Sequence, residues 1–240
     1  MVTFANPSAT GSTQPIAGHW DAVAIGAKGT LCALSSGMRT CTGVGSDVPA
    51  GSFRAISAGT GFACVLESMT GSIHCWGDAG EPYTTCIRGA PQEGQLEPPS
   101  GVFTSISSGP WHSCAVRADH GVACWGAGAP GAPPTKSTCN QRFNYGQSSP
   151  PAGSFASVSA GELTTCAVRM DGTLACWGAG QSATGCGTDV DGCGQALPPA
   201  GTFSAVAVGY THACAIRTNG KVACWGSDTG GRATAPEDLR

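Results

Sequence analysis

The chain has 240 residues, with 37 glycines and 16 prolines, about twice the usual share of these two, yet only 11% of residues are charged and the net charge is −3. Such a composition excludes a long-helix or coiled-coil protein, which would be rich in Ala, Glu, Lys and Leu, and 12 basic residues are too few for a nucleic-acid binder. With 41% hydrophobic residues and little charge, charge-driven disorder is excluded too.

Residues 1–14 read as an N-terminal arm or ring-closing segment, without the basic start and long apolar core of an export leader. From Trp20 onward the chain repeats itself five times. The units begin at Trp20, Phe53, Phe103, Phe155 and Phe203, the first short and the others about fifty residues long. After the opening aromatic, residues such as Val158 and Ala160, or Val206 and Val208, alternate with small ones, the period of a half-buried strand. Gly26, Gly59, Gly109, Gly161 and Gly209 then break the run, where a turn is expected.

A hairpin follows in each unit. In the fourth, a Met170-Asp171-Gly172 loop opposes Val168 to Leu174 and Cys166 to Cys176, and in the fifth Thr218-Asn219-Gly220 opposes Cys214 to Cys224. A Ser36-Gly37 loop pairs Cys32 with Cys41, and a loop from Ser68 to Gly71 pairs Cys64 with Cys75. In the third unit His120 takes the left-handed position that Gly fills elsewhere, and Cys114 still faces Cys124. Different loops thus converge on one cross-strand cysteine pair per unit, close enough for a disulfide.

The total of 14 cysteines suits an oxidising compartment, and none lie closer than seven positions, unlike the close pairs of zinc fingers. Four cysteines sit in the connectors. Cys186–Cys193 would clip one connector and Cys86–Cys139 would bridge two neighbouring ones, although four cysteines allow three pairings. Units of this size read as β-propeller blades, so the chain is expected to be a single all-β domain over 1–240, a five-bladed β-propeller with one disulfide per blade. The connector-like Gln14 to Gly18 and Gly231 to Pro236 at the two ends support closure; an incomplete ring, or a larger one completed by another chain, is the alternative.

The pattern S-A-G-x-x-H-[ST]-C-A-[VI]-R-x-[DN]-G-x-[VL]-A-C-W-G, followed by G-Q, resembles the repeats of the regulator of chromosome condensation family, from Trp20 to about Pro236. Its cysteine-bearing form is similar to secreted bacterial members and to Crinkly-type receptor ectodomains. The family usually builds seven blades, and this chain supplies five. The resemblance implies a propeller that binds a partner through loops on one face, as its β-lactamase inhibitory members do.

Composition and motifs point away from catalysis. No G-x-S-x-G, H-E-x-x-H or G-x-x-x-x-G-K-[ST] is present, and no cofactor is expected. His112 and His212 share one repeat position, which suggests structural hydrogen bonding. Trp76, Trp125, Trp177 and Trp225 read as packing beside the disulfides. Asp189 and Asp191 begin a weak calcium-loop-like fragment that lacks the downstream Glu and reads better as a turn.

The loops between first and second strands differ from unit to unit and should share one rim. Lys28, Phe62, Trp111, Glu162, Leu163 and Tyr210 are the partner-binding candidates. A non-catalytic extracellular module binding a protein through this rim is the first expectation, and a multivalent carbohydrate-binding lectin the alternative. Neither nucleic-acid binding nor membrane insertion is expected, since no apolar run is long enough to span a bilayer. Guanine-nucleotide exchange, as in the nuclear family member, is hard to reconcile with 14 cysteines.

Overall fold

The computed structural model describes residues 20–26, 30–35, 38–44, 50–77, 94–128, 145–183 and 193–239. Its strands are β1 (Ala22–Ile25), β2 (Leu31–Ser35), β3 (Met38–Thr42), β4 (Phe53–Ala58), β5 (Phe62–Glu67), β6 (Ile73–Gly77), β7 (Phe103–Ser108) and β8 (His112–Arg117). There follow β9 (Val122–Gly126), β10 (Phe155–Ala160), β11 (Thr164–Arg169), β12 (Leu174–Gly178), β13 (Phe203–Val208), β14 (His212–Arg217) and β15 (Val222–Gly226). Each consecutive three form one antiparallel sheet, and these five sheets are the blades of a five-bladed β-propeller. Among the described residues no helix is long and apolar enough to cross a membrane.

Hairpin register follows the loop arithmetic. Cys32 faces Cys41, Cys64 faces Cys75, Cys114 faces Cys124, Cys166 faces Cys176 and Cys214 faces Cys224. All five pairs are disulfides, with Cα atoms 4.0–4.1 Å apart. His120 has φ 69°, the left-handed position expected of it. Cys193 is disulfide-bonded. Cys86, Cys139 and Cys186 lie outside the described residues, as do Lys28, Asp189 and Asp191.

The first strand of blades two to five is not a plain alternation. A bulge follows the opening aromatic, so that Phe103 pairs with Arg117 but Ser105 with Val116, and blades two, four and five repeat the shift. An extra residue there bends the strand and increases its twist. In blades three to five the buried Phe103, Phe155 and Phe203 rings are each covered by an arginine from the second strand, Arg117, Arg169 or Arg217, 4.9–5.0 Å from the ring centroid. These cation–π contacts seal the outer end of the core.

Successive blades stack face to face. Ala24, Cys32 and Leu34 of blade one pack on Phe53, Ile56, Val65 and Trp76 of blade two, and Cys64 and Leu66 of blade two on Phe103, Ala115 and Trp125 of blade three. Polar links run beside this core. The backbone N–H groups of Ser108, Ala160 and Val208 donate to Ser57, Ser107 and Ser159 of the preceding blade at 2.8, 3.0 and 3.1 Å. The Trp125, Trp177 and Trp225 indoles donate to the backbone carbonyls of Gln95, Gln147 and Gln195 at 2.8–3.0 Å, which ties each connector to its blade.

Glycine after the first strand serves a purpose other than the turn expected of it. A Cβ on Gly26 would lie 1.9 Å from the Gly59 carbonyl oxygen, on Gly59 2.6 Å from that of Gly109, on Gly109 1.9 Å from that of Gly161, and on Gly161 2.5 Å from that of Gly209. None of these glycines has a positive φ. They are glycine because the next blade's backbone leaves no room for a side chain. At Gly209 the nearest atoms to an added Cβ are instead those of the His212 ring of its own blade, 2.5–3.1 Å away. Among the described residues, the packing that joins successive blades is not repeated between β13–β15 and β1–β3.

Candidate functional site

The ends of the five first strands, with the glycines that follow, surround one cavity of about 220 Å³. Every blade contributes: Ile25 and Gly26, Ala58 and Gly59, Ser108 to Pro110, Ala160 to Glu162, and Val208 to Tyr210. The strand ends from which the variable loops leave therefore meet around a shared mouth. Close glycine packing sets its size, because each loop is drawn against the next by the contacts just described.

Two rim residues read from the sequence are not at the surface. Phe62 is fully buried in the core between blades two and three. It is the first residue of β5, paired with Gly77, and it alternates with Cys64 and Leu66 on the blade face that the next blade covers. Residues two before the hairpin cysteine face the core in blades one to four, where Thr30, Phe62, His112 and Thr164 are all buried, and the fifth, His212, is half-buried. Leu163 is buried as well. Its carbonyl accepts the Ala179 N–H at 2.8 Å, which ties the loop down onto the end of β12.

Three candidates do lie around the mouth. Tyr210 is 47% exposed and lines the cavity. Glu162 is half-buried, and its backbone N–H reaches the Gly209 carbonyl of the next blade at 3.4 Å. Trp111, half-buried on the preceding blade, has its indole near the Glu162 carboxyl. Burial pushes the Glu162 carboxyl above its ordinary range, and the nearby Trp111 indole offsets part of that rise. This contact joins residues on different repeats, and no local spacing signals it.

The histidines divide as their shared position suggested. His112 is buried between blades three and four, with Nε2 2.7 Å from the Thr165 hydroxyl, and burial pushes its pKa down to about 3. It acts as a neutral strut. No group of three His, Cys, Asp or Glu side chains that could hold a metal occurs among the described residues.

The fold and the axial site define a β-propeller repeat protein with a variable rim. The regulator of chromosome condensation (RCC1) repeat model matches residues 203–232, the fifth unit, and the other units are sequence copies of it. The fifth unit is therefore similar to an RCC1 repeat, and the other units share its pattern. Among solved structures, it is similar to the ectodomain of the Physcomitrella patens receptor kinase CR4, with 24% identity and a TM-score of 0.64 over 92% of this chain and 55% of that one. The CRINKLY WD40 ectodomain of the Arabidopsis thaliana receptor kinase ACR4 matches at 24% identity and a TM-score of 0.62, over 95% of this chain and 70% of that one. Prp20p from Saccharomyces cerevisiae, described with its binding to Gsp1p and histones, matches at 18% identity and a TM-score of 0.53, over 87% and 56%. The chain thus spans little more than half the length of the moss ectodomain and of Prp20p.

Proposed function

We propose that this chain is a non-catalytic interaction module of an extracellular, oxidising environment that binds a protein partner through the axial rim formed by Trp111, Glu162 and Tyr210. The observation that carries the reading is the contrast between frame and rim. Disulfides, phenylalanines and indole–carbonyl bonds recur from blade to blade, whereas the positions equivalent to Tyr210 are Thr60, Pro110 and Glu162. An exposed tyrosine beside a half-buried tryptophan is the type of anchor that dominates protein interfaces. A lectin with one sugar site per blade would need the same side chains on every loop, and here they differ.

Receptor ectodomains of similar fold and the five hairpin disulfides support the extracellular setting. Prp20p, a propeller of similar fold, is described with its binding to Gsp1p and histones, which supports protein binding here in kind only. The test pairs affinity capture from the native medium with a glycan array. Trp111→Ala and Tyr210→Ala are each expected to weaken capture of the recovered partner by about tenfold or more, the scale of an interface hot spot, with the melting temperature nearly unchanged. Saturable sugar binding at several sites per chain would overturn the reading.

A further inference from the structure

We infer that the axial cavity receives a single cationic side chain, arginine or lysine, from the protein partner, with Glu162 as its counter-charge. The inference rests on the protein-binding reading above and names the chemistry that the same rim would recognise.

Size comes first. A volume of about 220 Å³ falls below the roughly 300–1,000 Å³ of sites that enclose drug-sized ligands, but it accommodates one extended side chain. Charge comes next. Among the described residues that line the cavity, Glu162 is the one with an ionisable acid or base besides the Tyr210 phenol; the rest are glycine, alanine, serine, proline and aliphatic residues. Its backbone N–H reaches the Gly209 carbonyl of the next blade, and its carboxyl stands near the Trp111 indole. Part of its hydration is already lost, so an incoming ammonium or guanidinium meets an attraction stronger than in bulk water at little further desolvation of the acid. The Tyr210 ring at the same mouth adds an aromatic face for a cation. A metal ion fits poorly: one carboxylate falls short of the six to eight oxygens of calcium or the four ligands of structural zinc.

The intact protein is titrated with acetyl-arginine methylamide and acetyl-lysine methylamide, with acetyl-citrulline methylamide as the neutral control, while the Trp111 indole resonance is followed by NMR. A saturable shift is expected with the two cations and none with citrulline, and Glu162→Gln should weaken binding about tenfold or more while the protein melts as before. An equal response to citrulline, no response to either cation, or unchanged affinity in Glu162→Gln overturns the inference. Lys28→Gln is run alongside, because that residue belongs to the rim loop of the first blade; cation binding that appears only in this variant also overturns it. The two readings fail separately. A captured partner that Tyr210→Ala loses but Glu162→Gln retains removes the cationic side chain and leaves the protein-binding rim standing.

Discussion

Blades four and five carry nearly the same sequence, yet their forward faces have different fates. Val168 of blade four and Ile216 of blade five stand two residues after the hairpin cysteine, and they are 3% and 44% exposed. Their equivalents Leu34, Leu66 and Val116 are all buried. Ser159 links blade four to the backbone of blade five, whereas the same position in blade five is Ala207, which is exposed and has no hydroxyl to offer. Burial in a repeat protein is therefore set by the neighbour and not by the repeat: one strand pattern makes a core where a blade packs closely against it and an apolar surface where, among the described residues, none does. The trailing side of blade one shows the complementary condition, with Val23 at 43% and Ile25 at 60% exposure.

The sharpest way to break this comparison is to truncate matched side chains on the two faces. Leu66→Ala, between blades two and three, should destabilise the protein by about 2–5 kcal/mol, because it empties a packed site that the stacked sheets cannot collapse to fill. Ile216→Ala should fall within about 1 kcal/mol, since much of that side chain already meets water. Urea unfolding under oxidising conditions measures both. An Ile216→Ala loss as large as that of Leu66→Ala would mean that the fifth face is covered in solution.

The glycine series gives a second matched pair. Gly109→Ala sets a methyl 1.9 Å from the Gly161 carbonyl oxygen, a backbone atom, so two blades must separate, at about 3 kcal/mol. For Gly209→Ala the nearest atoms are those of the His212 ring, the closest 2.5 Å away, and a side chain can turn aside. The melting temperature of Gly209→Ala should therefore lie well above that of Gly109→Ala. Equal losses would show that Gly209 also backs onto a neighbour.

Much of the frame was legible in the sequence because hairpin register follows from counting. Once a loop length is assigned, the opposed residues are fixed, which is why five cysteine pairs and the left-handed His120 emerged without coordinates. Phe62 could have been placed correctly by the same counting, since its parity with Cys64 and Leu66 puts all three on one face. Other features leave no trace in the residue pattern. The loop at Leu163 is tied down by a backbone bond to Ala179, and the bulge after each opening phenylalanine changes no residue pattern. The glycines looked like turn residues, because sequence shows that a side chain is absent but not which neighbour excludes it. Trp111 and Glu162 meet only because blade three precedes blade four around the ring.

Histidine provides the finest probe of the comparison, since His112 and His212 occupy one repeat position on the covered and the open face. His112 is fully buried and held neutral, its pKa lowered from the ordinary 6.5 to about 3. The unfolded chain binds a proton at this residue below about pH 6.5, while the folded chain resists it until about pH 3, so stability falls as pH falls through that window. The slope from this single group approaches about 1 kcal/mol per pH unit in the middle of the range. His112→Gln removes the group that titrates, so the stability difference between variant and parent should narrow steadily from pH 7 to pH 4, whatever the variant loses at neutral pH. Denaturant midpoints at four or five pH values decide it, and a difference between variant and parent that stays constant from pH 7 to pH 4 would show that burial does not hold His112 neutral.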